Sequence, residues 1–149
     1  MKAKVTWVLV ADGGQAKVFE NLGPGKGLRA ITDLKFEDEH LQARELVSDR
    51  PGRSFSSVGH GRSAMEPSSD PVAVRERRFV EHLAIVLAGK LAEGAFDRLI
   101  VAAAPTALGD LRPALSKPLR EVIVLELPKD LTKLTTPDLE ASLSQHLAI

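Results

Sequence analysis

Two short apolar runs flanking a pair of glycines open this chain and constrain its fold more than any other feature. Val5 to Ala11 and Ala16 to Glu20 are joined through Asp12-Gly13-Gly14-Gln15. Runs of this length, rich in valine and aromatics, are strand signals, and paired glycines between them predict a hairpin with a primed turn at positive φ. A second break at Gly23-Pro24-Gly25-Lys26-Gly27 precedes Leu28 to Phe36, where apolar Ile31, Leu34 and Phe36 predict a third strand. An antiparallel three-strand meander is therefore expected at the start.

The apolar period then changes. His40 to Val47 suits a short helix, and residues 49 to 71 lose all periodicity in a stretch loaded with Gly, Ser, Arg and Pro. A loop of that length inside a domain is usually functional or mobile. Few apolar anchors and several glycines predict mobility over 50 to 69. Asp70-Pro71 gives an N-cap followed by proline at the first helical position, and Phe79, Val80, Leu83, Val86, Leu87 and Leu91 recur at helical spacing until Gly94. Leu99 to Ala104 and Val122 to Leu127 are continuous apolar runs suited to buried parallel strands. Between them Thr106 to Ser116 reads as a helix interrupted at Pro113, and a last helix starts near Thr136-Pro137. The expected architecture is one α/β domain over residues 1–149: a mixed sheet, meander plus two parallel strands, covered by helices as in ribonuclease-H-like folds.

Composition narrows the function classes. With 149 residues, 44% hydrophobic and 27% charged, the chain falls in the globular range. It has no cysteine, which removes disulfides, thiolate metal sites and cysteine nucleophiles. The apolar run after Met1-Lys2-Ala3-Lys4 is broken by Thr6 and ends without a small-residue cleavage site, and no stretch reaches the roughly 18 apolar residues of a membrane helix. A cytoplasmic location without membrane contact is the expectation. Basic and acidic residues balance at 20 each, but residues 50 to 90 carry 7 basic and 4 acidic groups. A local excess of this size is more often a solvated face than a nucleic-acid footprint.

Several motifs dissolve on inspection. A phosphate loop at Gly23 to Gly27 would need glycine at Glu20 and Ser or Thr at Gly27, so that segment reads as a hairpin loop. Gly59-His60-Gly61-Arg62-Ser63-Ala64 has the letters of a dinucleotide fingerprint but does not follow directly on a strand. A ribonuclease-H-like sheet raises the question of two-metal nuclease chemistry. Asp12 ends the first strand and Glu76 or Glu81 lies on the long helix, yet the fourth strand ends in Ala102-Ala103-Ala104 where another acid is wanted. Nuclease chemistry is not expected, and neither is a metal or cofactor. His40, His60, His82 and His146 lack metal-ligand spacing.

The basic groups are more suggestive. Arg50, Arg53 and Arg62 lie in the long loop, and Arg75, Arg77 and Arg78 crowd the first turns of the following helix. Cations there oppose the helix dipole at a few tenths of a kcal/mol each. Asp70 and Glu76 offset part of that cost; an anionic partner is the competing explanation, with phosphate its natural form.

The blocks Trp7-Val8-Leu9-Val10-Ala11-Asp12, Ser48-Asp49-Arg50-Pro51-Gly52-Arg53 and Gly61-Arg62-Ser63-Ala64-Met65-Glu66-Pro67 resemble the bacterial host-attachment protein family. So do Phe96-Asp97-Arg98-Leu99, Leu108-Gly109-Asp110-Leu111-Arg112 and Lys129-Asp130-Leu131-Thr132, and the likeness spans nearly the whole chain. That family is more remotely similar to the middle domain of archaeal and eukaryotic peptide-chain release factors, whose glycine-glycine-glutamine tripeptide precedes a long helix and assists peptidyl-tRNA hydrolysis. Here the corresponding loop reads Gly59-His60-Gly61-Arg62-Ser63, without glutamine. The literal Gly13-Gly14-Gln15 falls in the first hairpin, where Gln15 is expected to point into solvent. The resemblance thus implies a non-catalytic, translation-associated domain that binds the ribosome or structured RNA, and the loop and helix start supply the residues expected to do so, Arg50, Arg53, His60, Arg62, Arg75 and Arg78. The alternative is a cytosolic protein-interaction or regulatory factor acting on attachment indirectly; a hydrolase using His60 or the Gly-rich loop comes third.

Overall fold

The strand β1 (Thr6–Ala11) is buried along its whole length, because helices cover both faces of the sheet around it. The computed structural model describes residues 4–38, 41 and 70–149. In these, β2 (Gln15–Asn21) returns antiparallel beside β1, and β3 (Arg29–Glu37) continues the meander. On the other side β4 (Arg98–Ala103) and β5 (Ile123–Leu127) run parallel to β1, giving the order β3-β2-β1-β4-β5. The expected mixed sheet is what forms. The short helix expected over His40 to Val47 lies outside the described residues except for helical Leu41, as does the segment 50 to 69 predicted to be mobile.

Alternation along β1 divides the core in two. Trp7, Leu9 and Ala11 face a layer built from α1 (Pro71–Ala92), α2 (Pro105–Ala114) and α3 (Lys117–Val122). Val8 and Val10 face the other layer, where α4 (Thr136–Ser144) buries Leu139 and Leu143. Helix α1 presents Val80, Leu83, Ala84 and Leu87 as one stripe at helical spacing, each buried leucine contributing about 2 kcal/mol. Trp7 stacks on Phe96 with ring centroids 4.7 Å apart.

Local signals fix the element ends. Asp70 caps α1 by accepting the Val72 amide at 2.9 Å. The same helix stops where Gly94, at φ +79°, donates to the Leu91 carbonyl while Ala95 donates to that of Lys90, a Schellman closure. Between β4 and β5 the sequence predicts one interrupted helix, but two form. After Pro113 the chain turns extended at Leu115, and Ser116 caps α3 through the Leu119 amide. Each of α1 to α4 carries proline at its first or second position.

The first hairpin closes differently from expectation. Neither Gly13 nor Gly14 has positive φ, so no primed turn forms. Instead Asp12 Oδ1 accepts the Gly14 and Gln15 amides, both at 2.8 Å, and the Asp12 amide donates to the Gln15 carbonyl. These glycines answer to crowding: a Cβ on Gly13 would lie 2.6 Å from Glu76 Oε2, and one on Gly14 would lie 3.2 Å from Leu41 Cβ.

Candidate functional site

The three parallel strands end on the same side of the sheet, and a cavity of about 270 Å³ opens there. That is the position where α/β sheets bind ligands. Asp12 and Gly13 reach it from the β1–β2 turn, Glu76 from α1, Thr106 and Asp110 from α2, and Asp130 from the loop after β5. Of the carboxylates expected here, Asp12 and Glu76 meet; Glu81 does not, and lies 3.8 Å from Arg77 one helical turn away. Asp110 and Asp130 also line this cavity, although the end of β4 itself offers no acid. Both lie in stretches of the sequence that carry the family resemblance, where no local pattern marks either as a site residue.

The carboxylates mostly serve the protein itself. Asp12 Oδ1 is taken up by two amides, and its Oδ2 accepts Gln15 Nε2 at 3.3 Å. Asp130 Oδ1 accepts both the amide and the hydroxyl of Thr132. Among the described residues no three Asp, Glu or His side chains are placed to hold a metal ion together. The cavity also receives the start of α2, where Ala104 occupies the N-cap with no side-chain hydrogen bond; the carboxylates around it complement the positive end of the dipole.

Gln15 corrects an expectation. Its side chain does not point freely into solvent: Nε2 reaches Asp12 and also Thr132 Oγ1 at 3.4 Å, while Lys17 Nζ donates to the Thr132 carbonyl at 3.0 Å. These bonds join the first hairpin to the loop before α4. The Gly23 to Gly27 segment is the hairpin loop expected of it. Gly23, Gly25 and Gly27 take positive φ, Asn21 Nδ2 donates to the Gly27 and Ile149 carbonyls, and the Leu28 amide donates to Glu140 at 2.7 Å.

Of the residues expected to meet an anionic partner, Arg50, Arg53, His60 and Arg62 lie outside the described residues, together with the Gly59 to Ala64 motif. Arg75 and Arg78 are exposed on α1. Asp70 puts its negative charge at the positive end of α1 as the helix cap, the offset expected of it. Glu76 lies beside Gly13, and Arg75 is bound by Asp38 beyond β3, through Nε at 2.8 Å and Nη2 at 3.1 Å. Those hydrogen bonds, with the attraction of the Asp38 charge, hold the Arg75 guanidinium above its ordinary value. Arg78 forms no ion pair among the described residues.

A family model described as "Protein required for attachment to host cells" matches residues 7–143. The chain belongs to that family. No match is found among curated proteins. The residues behind the host-attachment resemblance include several with visible structural duties. Asp97 accepts the Val5 amide at 2.8 Å, Arg98 donates to Thr6 Oγ1, and Arg112 binds Glu126 at 2.8 Å. No described helix of this host-attachment protein is long and apolar enough to cross a membrane.

Proposed function

We propose that this host-attachment protein is a non-catalytic RNA-binding domain, associated with the ribosome or another structured RNA, that meets phosphate with the start of α1. The observation that carries this reading is the exposed arginine group on the first two turns of that helix. Arg75, Arg77 and Arg78 face solvent, no acidic residue lies in the first turn, and Arg78 has no ion-pair partner among the described residues. In the sequence the helix is preceded by Arg50, Arg53 and Arg62. The remote resemblance to release-factor middle domains supports the same choice of partner. Phosphate contacts of this kind position a protein on nucleic acid without reading its sequence.

Titration with RNA across a range of salt tests the proposal. Arg78→Glu, and the pair Arg53→Glu with Arg62→Glu, weaken binding for all sequences. Each lost phosphate contact flattens log affinity against log salt by about 0.7 to 0.9. A wild-type protein that neither binds RNA at low salt nor sediments with ribosomes sinks the proposal and leaves the protein-interaction reading in its place.

A further inference from the structure

Aromatic rings are scarce in this chain, and their distribution is uneven. Five of the six Phe and Trp residues are described. Trp7, Phe19 and Phe96 are buried in the two cores. The other two, Phe36 at the end of β3 and Phe79 on the third turn of α1, stay partly exposed and line the same groove. Two adjoining hollows of about 700 and 630 Å³ share Asp38, Arg75, Phe79 and His82, and so form one channel between α1 and the end of β3. His82 adds a third ring, edge-on to Phe36 with centroids 6.1 Å apart. Cations are interleaved with the rings. Arg78 lines one hollow and Lys35 the other, and the acids present are matched, Asp38 to Arg75 and Glu37 to Lys35 at 3.4 Å.

We infer that this groove takes unpaired bases of single-stranded RNA, stacked on Phe79 and His82 while Arg78 meets the adjoining phosphate. The inference rests on the RNA-binding reading above and names the form of RNA the protein selects. Pro71, Val72 and Val74 give one hollow an apolar wall, but the stretch shared with the other hollow is Asp38, Arg75, Phe79 and His82, rings and charges rather than the continuous apolar floor a peptide would need. Rings set among cations, with one arginine left unpaired, match a strand whose bases offer π faces and whose backbone is anionic. Hollows of this size lie within the range that encloses small organic ligands, so a base and its ribose fit. A duplex keeps its bases stacked on one another and cannot offer them to Phe79.

The test uses a single-stranded RNA oligonucleotide carrying 2-aminopurine, and a duplex of equal length, with the full chain. The wild type binds the single strand more tightly and quenches 2-aminopurine as the base stacks. Phe79→Leu, which keeps the apolar contact with the core, and His82→Ala, at an exposed position, each weaken single-strand binding about fivefold to a hundredfold with the salt slope unchanged. Arg78→Ala changes that slope. Circular dichroism establishes that Phe79→Leu is folded, and His82→Ala carries the test alone if it is not. RNA bound equally well as duplex, unquenched and indifferent to both ring variants, overturns the inference while leaving RNA binding standing. No RNA binding by the wild type removes both.

Discussion

Gly13 is a residue whose identity is set by what lies across from it. The backbone there needs no glycine, but the Glu76 side chain occupies the space a Cβ would fill. Gly13→Ala should therefore destabilise the protein by about 1 kcal/mol as Glu76 is displaced, and Glu76→Ala should relieve much of that loss. Denaturant melts of the two single variants and the double test this; strict additivity would show that the crowding is unimportant. Gln15→Ala removes two long hydrogen bonds, and should cost about 0.5 to 1 kcal/mol without altering the salt slope of RNA binding. Arg75 behaves differently under titration. Its value is raised in the folded state, so its contribution is complete below the unfolded value and is lost only as pH climbs through the folded one, in strong alkali. The fall in melting temperature caused by Arg75→Leu should be the same at neutral and mildly alkaline pH. These constraints were hidden in the sequence because each depends on a partner far along the chain; Asp12, at a turn, was visible, whereas Asp110 and Asp130 joined it only once the strands were aligned.

The elements were legible where their punctuation is local. Asp70-Pro71 and Gly94 announced both ends of α1, and cap and closure formed there. Gly94→Ala should cost about 1 kcal/mol or more because φ +79° penalises a Cβ even though nothing crowds the site. A thermal melt of this variant beside Gly89→Ala, which is helical and open, separates the effects, since the second should be neutral or stabilising. Helix α3 escaped notice because a helix from Lys117 to Val122 is too short to display a period. Its Ser116-Lys117-Pro118 opening has the same cap-and-proline form as Thr135-Thr136-Pro137 before α4.

Across the whole molecule, the make-up of the mixed sheet, a meander plus two parallel strands, followed from alternation and apolar runs, because buried parallel strands carry their signature within themselves; the order of the strands did not. The groove and the cavity did not, since each is assembled from separate parts of the chain. Phe36 and His82 belong to different elements and meet only through the packing of α1 beside the meander. One arrangement also bears on how the protein is made. The strand at the centre of the sheet is translated before the other four, but its parallel neighbour begins only at Arg98, and the bonds from Gln15 to Thr132 and from Asn21 to Ile149 close spans of 117 and 128 residues. A nascent chain leaving the ribosome thus carries an apolar hairpin of which one face, that of Val8 and Val10, stays uncovered until α4 has emerged. Long-range closure of this kind slows folding and leaves early segments exposed to capture. Stalled chains ending at Ala104 should be digested readily by protease and held by chaperones, whereas released full-length chains resist; protection of the stalled form equal to that of the released one would show that the hairpin settles without its late partners.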